Sequence, residues 1–574
     1  MPQSSSAEIY DVVIIGSGAG GGTVAHVLTA KGLRCAVLEA GPMIDPRRDF
    51  KEHKWPYDYP HRGAGPGAES YFGGGGSSGQ GFTFNANFGG NELDGEPYTL
   101  ADGTQFLWWR SRVVGGRTLH YARNSYRYAD YDFKPYDRDG LSPNWPISYE
   151  DLAPYYDKTE RLTGVAGSSA GIRSAPDGIF LEPAPPKVHE LLLQKACAKL
   201  SIPCIPNRLA IITKPFNGRP ACHYCGQCAR GCGTASNYDS LQIQIIPALR
   251  SGRLKLFDMA MAREVVTNGQ GRVTGVIYID KRTRQEKLVR GRAVAVAGGA
   301  CETARLLLNS KSSEFPNGLA NGSGMVGRNL TNTVDFSVSG YLPCLEGMPR
   351  YNTDGYAQGH VYIPWWLWER HDKLDFPRGY HIEVFGGFGM PGIGSFTSYG
   401  AQQGFGKRLK EAVRREYGCT IRLAGRGEAI PNDNSYVEID PHVVDRWGIP
   451  TLRFHYKWSD YEWKQARHME RTFIQIIEQM GGRVLPRRTG GPDASGIVLI
   501  PGSVQHEVGA VRMGDDKRMS VVNGFCQAHE VKNLFLCDGA VFVSNADKNP
   551  TPTINALAWR ASDYLAEEMR KGNI

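Results

Sequence analysis

The sequence predicts an α/β protein in which a Rossmann-type domain is interleaved with a second domain built on an antiparallel β-sheet. Three observations carry this. Residues 10 to 41 read as strand, glycine turn, helix and strand. Residues 330 to 500 hold a succession of short strand-like runs instead. The chain then closes on an amphipathic helix, as an α/β layer requires.

In the first segment, "YDVVIIG" is a short apolar strand, "GGTVAHVLTAKG" is helical and "RCAVLEAG" is a second buried strand. Gly16, Gly18 and Gly21 between them form G-x-G-x-x-G. These glycines permit the tight turn and let backbone amides approach a pyrophosphate at the helix N-terminus. Glu39 ends the second strand, where a carboxylate accepts from a ribose hydroxyl and repels a 2′-phosphate. A lone glycine triplet is usually only a loop. With strand, helix and acid in register it reads as a dinucleotide site, for NAD or FAD alike.

Residues 60 to 105 are Gly-rich with interleaved aromatics, which suggests a long ordered loop beside a ligand. Further on, "VDFSVSGYL", "YHIEVFGGFG", "CTIRLAGRGE" and "PTLRFHY" suggest a mostly antiparallel sheet. "SDYEWKQARHMERTFIQIIEQMGG" is a helix closed by glycine. In "TPTINALAWRASDYLAEEM", Ile554, Leu557, Ala558, Ala561 and Leu565 fall at helical spacing, with Pro552 in the first turn.

The bulk of the chain narrows its class. Its 574 residues carry a net charge of +8 without a Lys/Arg block, so nucleic acid is discounted as a partner. No run approaches ~18 apolar residues, so no direct membrane insertion is expected. The opening "MPQSSSAEIYDVVIIGSG" has no basic n-region and no separate apolar core, unlike a signal peptide. The expectation is a cytoplasmic protein, periplasmic only if exported with a partner subunit. Eight of the 12 cysteines are scattered, which suits a reducing compartment with one special cluster.

That cluster is "RPACHYCGQCARGCGTAS", with Cys222, Cys225, Cys228 and Cys232 at C-x2-C-x2-C-x3-C. This is the spacing of bacterial ferredoxin ligands, with Gly233 in place of the usual proline. Gly226, Gly231 and Gly233 allow the sharp turns needed for thiolates to converge. An iron–sulfur cluster, [3Fe–4S] or [4Fe–4S], is the favoured reading. A zinc knuckle would separate its pairs by ~15 residues, and disulfides between such neighbours would be strained. Zinc, disulfides and free thiols remain as alternatives.

"SVQHEVGAVRMG", "NLFLCDGAVFVS" and "NPTPTINALA" resemble the closing section of the glucose-methanol-choline (GMC) oxidoreductase family. "RVVGGRTLHYARNSYR" at 112 to 127 resembles its first signature, and "AGGACETARLLLNS" at 297 to 310 its second. The motifs follow in family order along the whole chain. The resemblance implies FAD, with a flavin domain assembled from segments 10–45, 105–130 and 220–330 and a return over 501–574. A substrate domain over 331–500 lies between them. It implies cofactor contacts from Gly115, Gly116 and His120, from Val265 and Gly298, and from Asp538, Gly539 and Thr551. His506, in H-x-x-G, takes the role of base for the hydroxyl proton. Asn549, in "KNPT", holds the developing alkoxide; on a sugar substrate, polar residues such as Gln505 are expected to bind neighbouring hydroxyls. Against these stand plainer readings, a satisfied core histidine and a helix N-cap. Some relatives link a histidine at the place of His120 covalently to the flavin and sugar dehydrogenases do not; noncovalent FAD is expected here.

"GEAIPNDNSYVEIDPHVVDRWGIPTLRFHY", residues 427 to 456, resembles sugar-oxidising members such as glucoside 3-dehydrogenases. The expected activity is therefore oxidation of a secondary alcohol of a sugar or glycoside to a ketone, at C3 in those enzymes. Electrons would pass through the iron–sulfur centre to an acceptor protein, with a small accessory subunit as a further partner. Trp108, Trp109 and the aromatics of "YIPWWLWERH" would offer faces for pyranose rings, though most such residues are core. An oxidase reoxidised by oxygen, with structural cysteines, is the alternative. A noncatalytic redox sensor or electron carrier is the third.

Overall fold

The computed structural model describes residues 3–50, 52, 84–85, 96–348, 355–388, 404–486 and 500–574. Most of the glycine-rich segment expected beside a ligand lies outside the described residues.

Strand β1 (Gln3–Ile15) runs through the middle of a seven-stranded sheet. On one side it is flanked by β2 (Cys35–Leu38) and then β3 (Leu254–Phe257), all parallel. β4 (Ala260–Thr267) and β5 (Val273–Asp280) lead antiparallel into β6 (Glu286–Val296), which pairs in parallel with the other side of β1. The last residues of β6, Val294 to Val296, also pair in parallel with Leu534–Leu536. One long strand thus joins the antiparallel and parallel parts of the sheet.

Val12, Val13, Ile14 and Val294 are fully buried, as the apolar runs of a sheet covered on both faces require. Helix α1 (Ala19–Ala30) lies directly on this sheet. A Cβ on Gly20 would stand 1.8 Å from the Cys537 carbonyl oxygen, and one on Gly21 2.0 Å from that of Gly16. The third glycine of the motif is thus fixed by helix–sheet packing.

The second sheet is antiparallel throughout. Its order is Arg483–Val484, β7 (Val334–Tyr341), β10 (Thr420–Gly427), β9 (Tyr380–Gly386), β8 (Val361–Ile363) and Ile205–Pro206. Helix α3 (Asp460–Gln479) covers one face; α2 (Ala300–Asn309) belongs to the first sheet's side. Ser459 caps α3 with Glu462 closing the box. Met469, Phe473 and Ile477 pack onto Gly340 and Gly425 of the sheet. Side chains alternate along a strand, so Asp335, Glu383, Arg422 and Arg426 face away from α3.

"PTLRFHY", expected in this sheet, lies elsewhere. β12 (Pro450–His455) pairs with β11 (Tyr436–Val444) and with Thr99–Leu100 in a separate three-stranded sheet. The reason is packing: Phe454 stacks on Phe106 at 4.7 Å and meets Tyr98 and Trp108, all in the core of the first sheet. At the chain end α4 (Thr551–Lys571) packs against α1. Among the described residues no helix is long and apolar enough to cross a membrane.

Candidate active site

A cavity of about 700 Å³ opens between the two sheets, and both halves of the chain line it. At one end lie Gly16, Gly18 and Glu39. Gly16 has φ +91° and a Cβ there would sit 2.4 Å from the Ala297 carbonyl oxygen, so the turn admits only glycine. Nothing lies within 4 Å of where a Gly18 Cβ would be, and no side chain caps α1. The first-turn amides of α1 are therefore uncapped by side chains and face the space beside Gly18, as a pyrophosphate needs.

Glu39 is buried. Its Oε2 accepts from Ser17 Oγ at 2.6 Å and Ser17 N at 3.2 Å, and its Oε1 from Gly41 N at 2.9 Å. Burial pushes this carboxyl up, and those bonds with Arg112 pull it back. Gly115 stands behind the lining, its N–H donating to Ser17 Oγ at 2.9 Å. Gly116, Gly298, Asp538, Gly539 and Thr551 line the cavity. Asp538 draws two loops together: Oδ2 accepts from Gly299 N (2.9 Å) and Thr303 Oγ1 (2.6 Å), and Oδ1 from Ala540 N (2.8 Å). Gly21 and Val265 are not in the lining. Val265 is buried in the sheet with its N–H donating to Ser310 Oγ at 3.0 Å. Its strand meets the cavity two or more residues earlier, at Ala260 to Arg263.

His120 lines the cavity with one ring nitrogen, Nε2, 2.6 Å from Ser111 Oγ. Desolvation, then Arg123 and Arg117, pushes its pKa down to about 3, so the ring is neutral. Trp108 is core, packed on Tyr98 and Phe454 with Arg110 over its ring at 4.2 Å. The open cradle, the uncapped starts of α1 and α4 and this long lining fit FAD.

The reacting end brings His506 and Asn549 together from 43 residues apart: Asn549 Nδ2 donates to His506 Nε2 at 3.2 Å. Asn549 does not cap α4, whose N-cap is Pro550 without a side-chain bond. Its Nδ2 also donates to Glu383 Oε1 at 3.3 Å, and its buried Oδ1 has no partner among the described residues. Desolvation, then Arg426, pushes the His506 pKa down to about 3. A neutral imidazole with a ring nitrogen in the cavity is a ready proton acceptor. Gln505 is exposed at the rim, its Nε2 donating to Ser503 O at 3.2 Å.

Sequence reasoning missed the wall around this pair. Asp335 and Arg426 stand opposite each other across β7 and β10 and form an ion pair. Arg426 also pairs with Glu383 at 2.8 Å. Burial alone would raise the Glu383 carboxyl, but Arg426 and His381 hold it far below the usual carboxylate range, so it is ionised. Arg422 lines the same cavity. Arginines at 422 and 426, on the face of β10 opposite its apolar residues, were the available signal; their acidic partners depend on strand register.

The four clustered cysteines lie close enough that each neighbour's charge raises the Cys222 pKa, which burial first of all pushes up to about 12. Cys225 is pushed to about 11, mainly by burial. Cys228 lines the cavity, and its carbonyl accepts from Arg123 Nη1 at 2.7 Å. Yet among the described residues no three His, Cys, Asp or Glu side chains converge as metal ligands. The four side chains therefore do not stand converged as the expected iron–sulfur ligand set.

GMC oxidoreductase family models match residues 10–335 and 431–558. The chain is 30% identical over 98% of its length to the 2-methyl-1,2-propanediol dehydrogenase of Mycolicibacterium austroafricanum, covering 96% of that protein. It is 25% identical to the fructose dehydrogenase large subunit of Gluconobacter japonicus, over 98% of each chain. Its fold matches that of pyridoxine 4-oxidase from Mesorbium loti with a TM-score of 0.61 at 15% identity, covering 97% and 99% of the two chains. An open dinucleotide cradle and a paired histidine and asparagine on one cavity, with these likenesses, make the chain a member of the GMC oxidoreductase family, the FAD-type oxidoreductases of alcohol CH–OH groups.

Proposed function

We propose that the protein is a dehydrogenase that oxidises a secondary alcohol of a sugar or glycoside to the ketone, at C3 of the ring, and passes the electrons to a partner protein. The observation that carries the substrate class is the wall beside His506 and Asn549. Asp335, Glu383, Arg422 and Arg426 line it, and beyond their bonds to one another these charged groups keep donor and acceptor positions that suit several hydroxyls better than an alkyl chain. The likeness of residues 427 to 456 to glucoside 3-dehydrogenases supports C3. The named subunit character of similar proteins, the fructose dehydrogenase large subunit and a gluconate 2-dehydrogenase flavoprotein, supports a partner.

Bound FAD supplies the hydride acceptor. His506 Nε2 takes the hydroxyl proton: the ring is neutral, and the substrate hydroxyl displaces the Asn549 N–H from its lone pair. That N–H, released from Nε2, donates to the oxygen that loses the proton and fixes its position. Glu383, itself paired with Arg426, holds Asn549 from behind.

An anaerobic screen of sugars, glycosides and aliphatic alcohols, reading flavin bleaching, tests this. Glycosides should bleach the flavin, give a 3-keto product by NMR, and turn over with an artificial acceptor faster than with oxygen. Bleaching by aliphatic alcohols alone, or rapid oxygen consumption, would replace this reading with the oxidase.

A second reading adds an iron–sulfur centre at Cys222, Cys225, Cys228 and Cys232, supported by their spacing and mutual proximity. It requires the thiols to close up and ionise. Iron with acid-labile sulfide in protein prepared without air would support it; zinc, or no metal, would leave the cysteines structural.

A further inference from the structure

We propose that Glu383 and Thr333 are positioning residues that lock His506 in the tautomer with its proton on Nδ1, leaving the Nε2 lone pair facing the cavity. This rests on the reading of His506 as the base.

The lock is set from both sides of the ring. Glu383 is an ionised carboxylate and can only accept, so the amide of Asn549 must turn its NH2 toward Glu383 Oε1 at 3.3 Å. The second hydrogen of that NH2 points to His506 Nε2 at 3.2 Å, which must therefore carry a lone pair. A neutral imidazole has one proton, so it sits on Nδ1. Thr333 Oγ1 accepts it at 3.0 Å.

Thr333 is itself held. Asn545 Nδ2 donates to its Oγ1 at 3.0 Å, and Asn545 Oδ1 accepts from the Tyr128 hydroxyl at 3.3 Å. The Tyr128 oxygen in turn accepts from Ala546 N–H at 3.4 Å. Arg426 and Asn124 fix Glu383 on the other side. The opposite tautomer would aim two N–H groups at each other across 3.2 Å and could take no proton at Nε2. Once the proton is taken, Thr333 already accepts the other N–H of the imidazolium.

The test is 15N NMR of histidine-labelled holoenzyme without substrate, with the His506 signals assigned by their loss in His506→Ala, read beside anaerobic flavin reduction. The native protein should show a pyridine-type Nε2 and a pyrrole-type Nδ1. Thr333→Val, which removes the acceptor but keeps the shape, should move the proton toward Nε2 and slow flavin reduction about tenfold, the loss of ~1.4 kcal/mol. Thr333→Ser should restore both. Glu383→Gln lets the Asn549 amide turn over and should shift the tautomer in the same way. An unchanged tautomer in Thr333→Val and Glu383→Gln, or equal damage from Thr333→Ser and Thr333→Val, would overturn the proposal. If His506→Ala reduced its flavin normally, the base reading would fall instead, while the nitrogen shifts would still report the tautomer.

Discussion

His506→Ala is expected to keep FAD and fold but to reduce its flavin with substrate ~10²-fold or more slowly, the usual size of a lost general base. Anaerobic stopped-flow measures this directly. The expectation follows from placement: the ring is neutral, its Nε2 lies in the cavity and Asn549 Nδ2 is 3.2 Å away. Asn549→Ala should cost less, because it removes one hydrogen bond and leaves the proton acceptor. A native reduction rate in His506→Ala would remove the residue from the mechanism. The same burial has a pH signature. Desolvation, then Arg426, pushes the His506 pKa down to about 3, against 6.5 for a free ring. Between these values the unfolded chain binds the extra proton, so its contribution to stability falls as pH drops through that window. His506→Ala should therefore be less sensitive to acid unfolding, read from thermal midpoints at pH 7 and pH 5.

Lys548→Met is expected to destabilise the protein by about 3–5 kcal/mol, the usual cost of stripping a buried charge of its partner. Lys548 is only 4% exposed and bonds Asp132 at 2.8 Å and Asp547 beside it. Removing it leaves two carboxylates facing each other in the interior. Arg138 cannot replace it, lying 3.7 Å from Asp132 and already engaged with Asp139 and Glu428. Since Asn545 and Asn549 flank this residue, flavin reduction should slow as well. Thermal and urea midpoints of the holoenzyme check the first effect. A midpoint equal to the native one would mean that the carboxylates are protonated and the ammonium dispensable.

The parts legible in the sequence are those specified over short distances. The Gly16 turn, the strands around "VDFSVSGYL", "YHIEVFGGFG" and "CTIRLAGRGE", and α4 each carry their own periodicity and punctuation. His506 and Asn549 were legible through motif resemblance, not through any local property. What escaped depends on pairing. β12 reads like its neighbours in sequence, yet Phe454 takes it to Phe106. Asp335 meets Arg426 only because β7 and β10 pair in that register. Val265 misses the cavity because the strand passes it two residues earlier. The cysteine spacing allows convergence, but the backbone between Cys222 and Cys232 is held to the neighbouring segments by Arg123 and by a bridge from Cys225 to Gly355.

The pairing of β6 with residues 534–536 bears on how the molecule is made. A chain growing from its N-terminus completes β1, α1 and β2 by residue 38, but β3 and β6, the strand partners of β2 and β1, follow only at residues 254–296, and α4, which packs on α1, at 551–571. Until Leu534–Leu536 and α4 emerge, the edge of β6 from Val294 to Val296 is unpaired and the face of α1 that meets α4 is open to water. Such an edge invites pairing with other chains. A product stopped before residue 534 would keep His506 but lack Asn549, α4 and the strand that pairs with the end of β6.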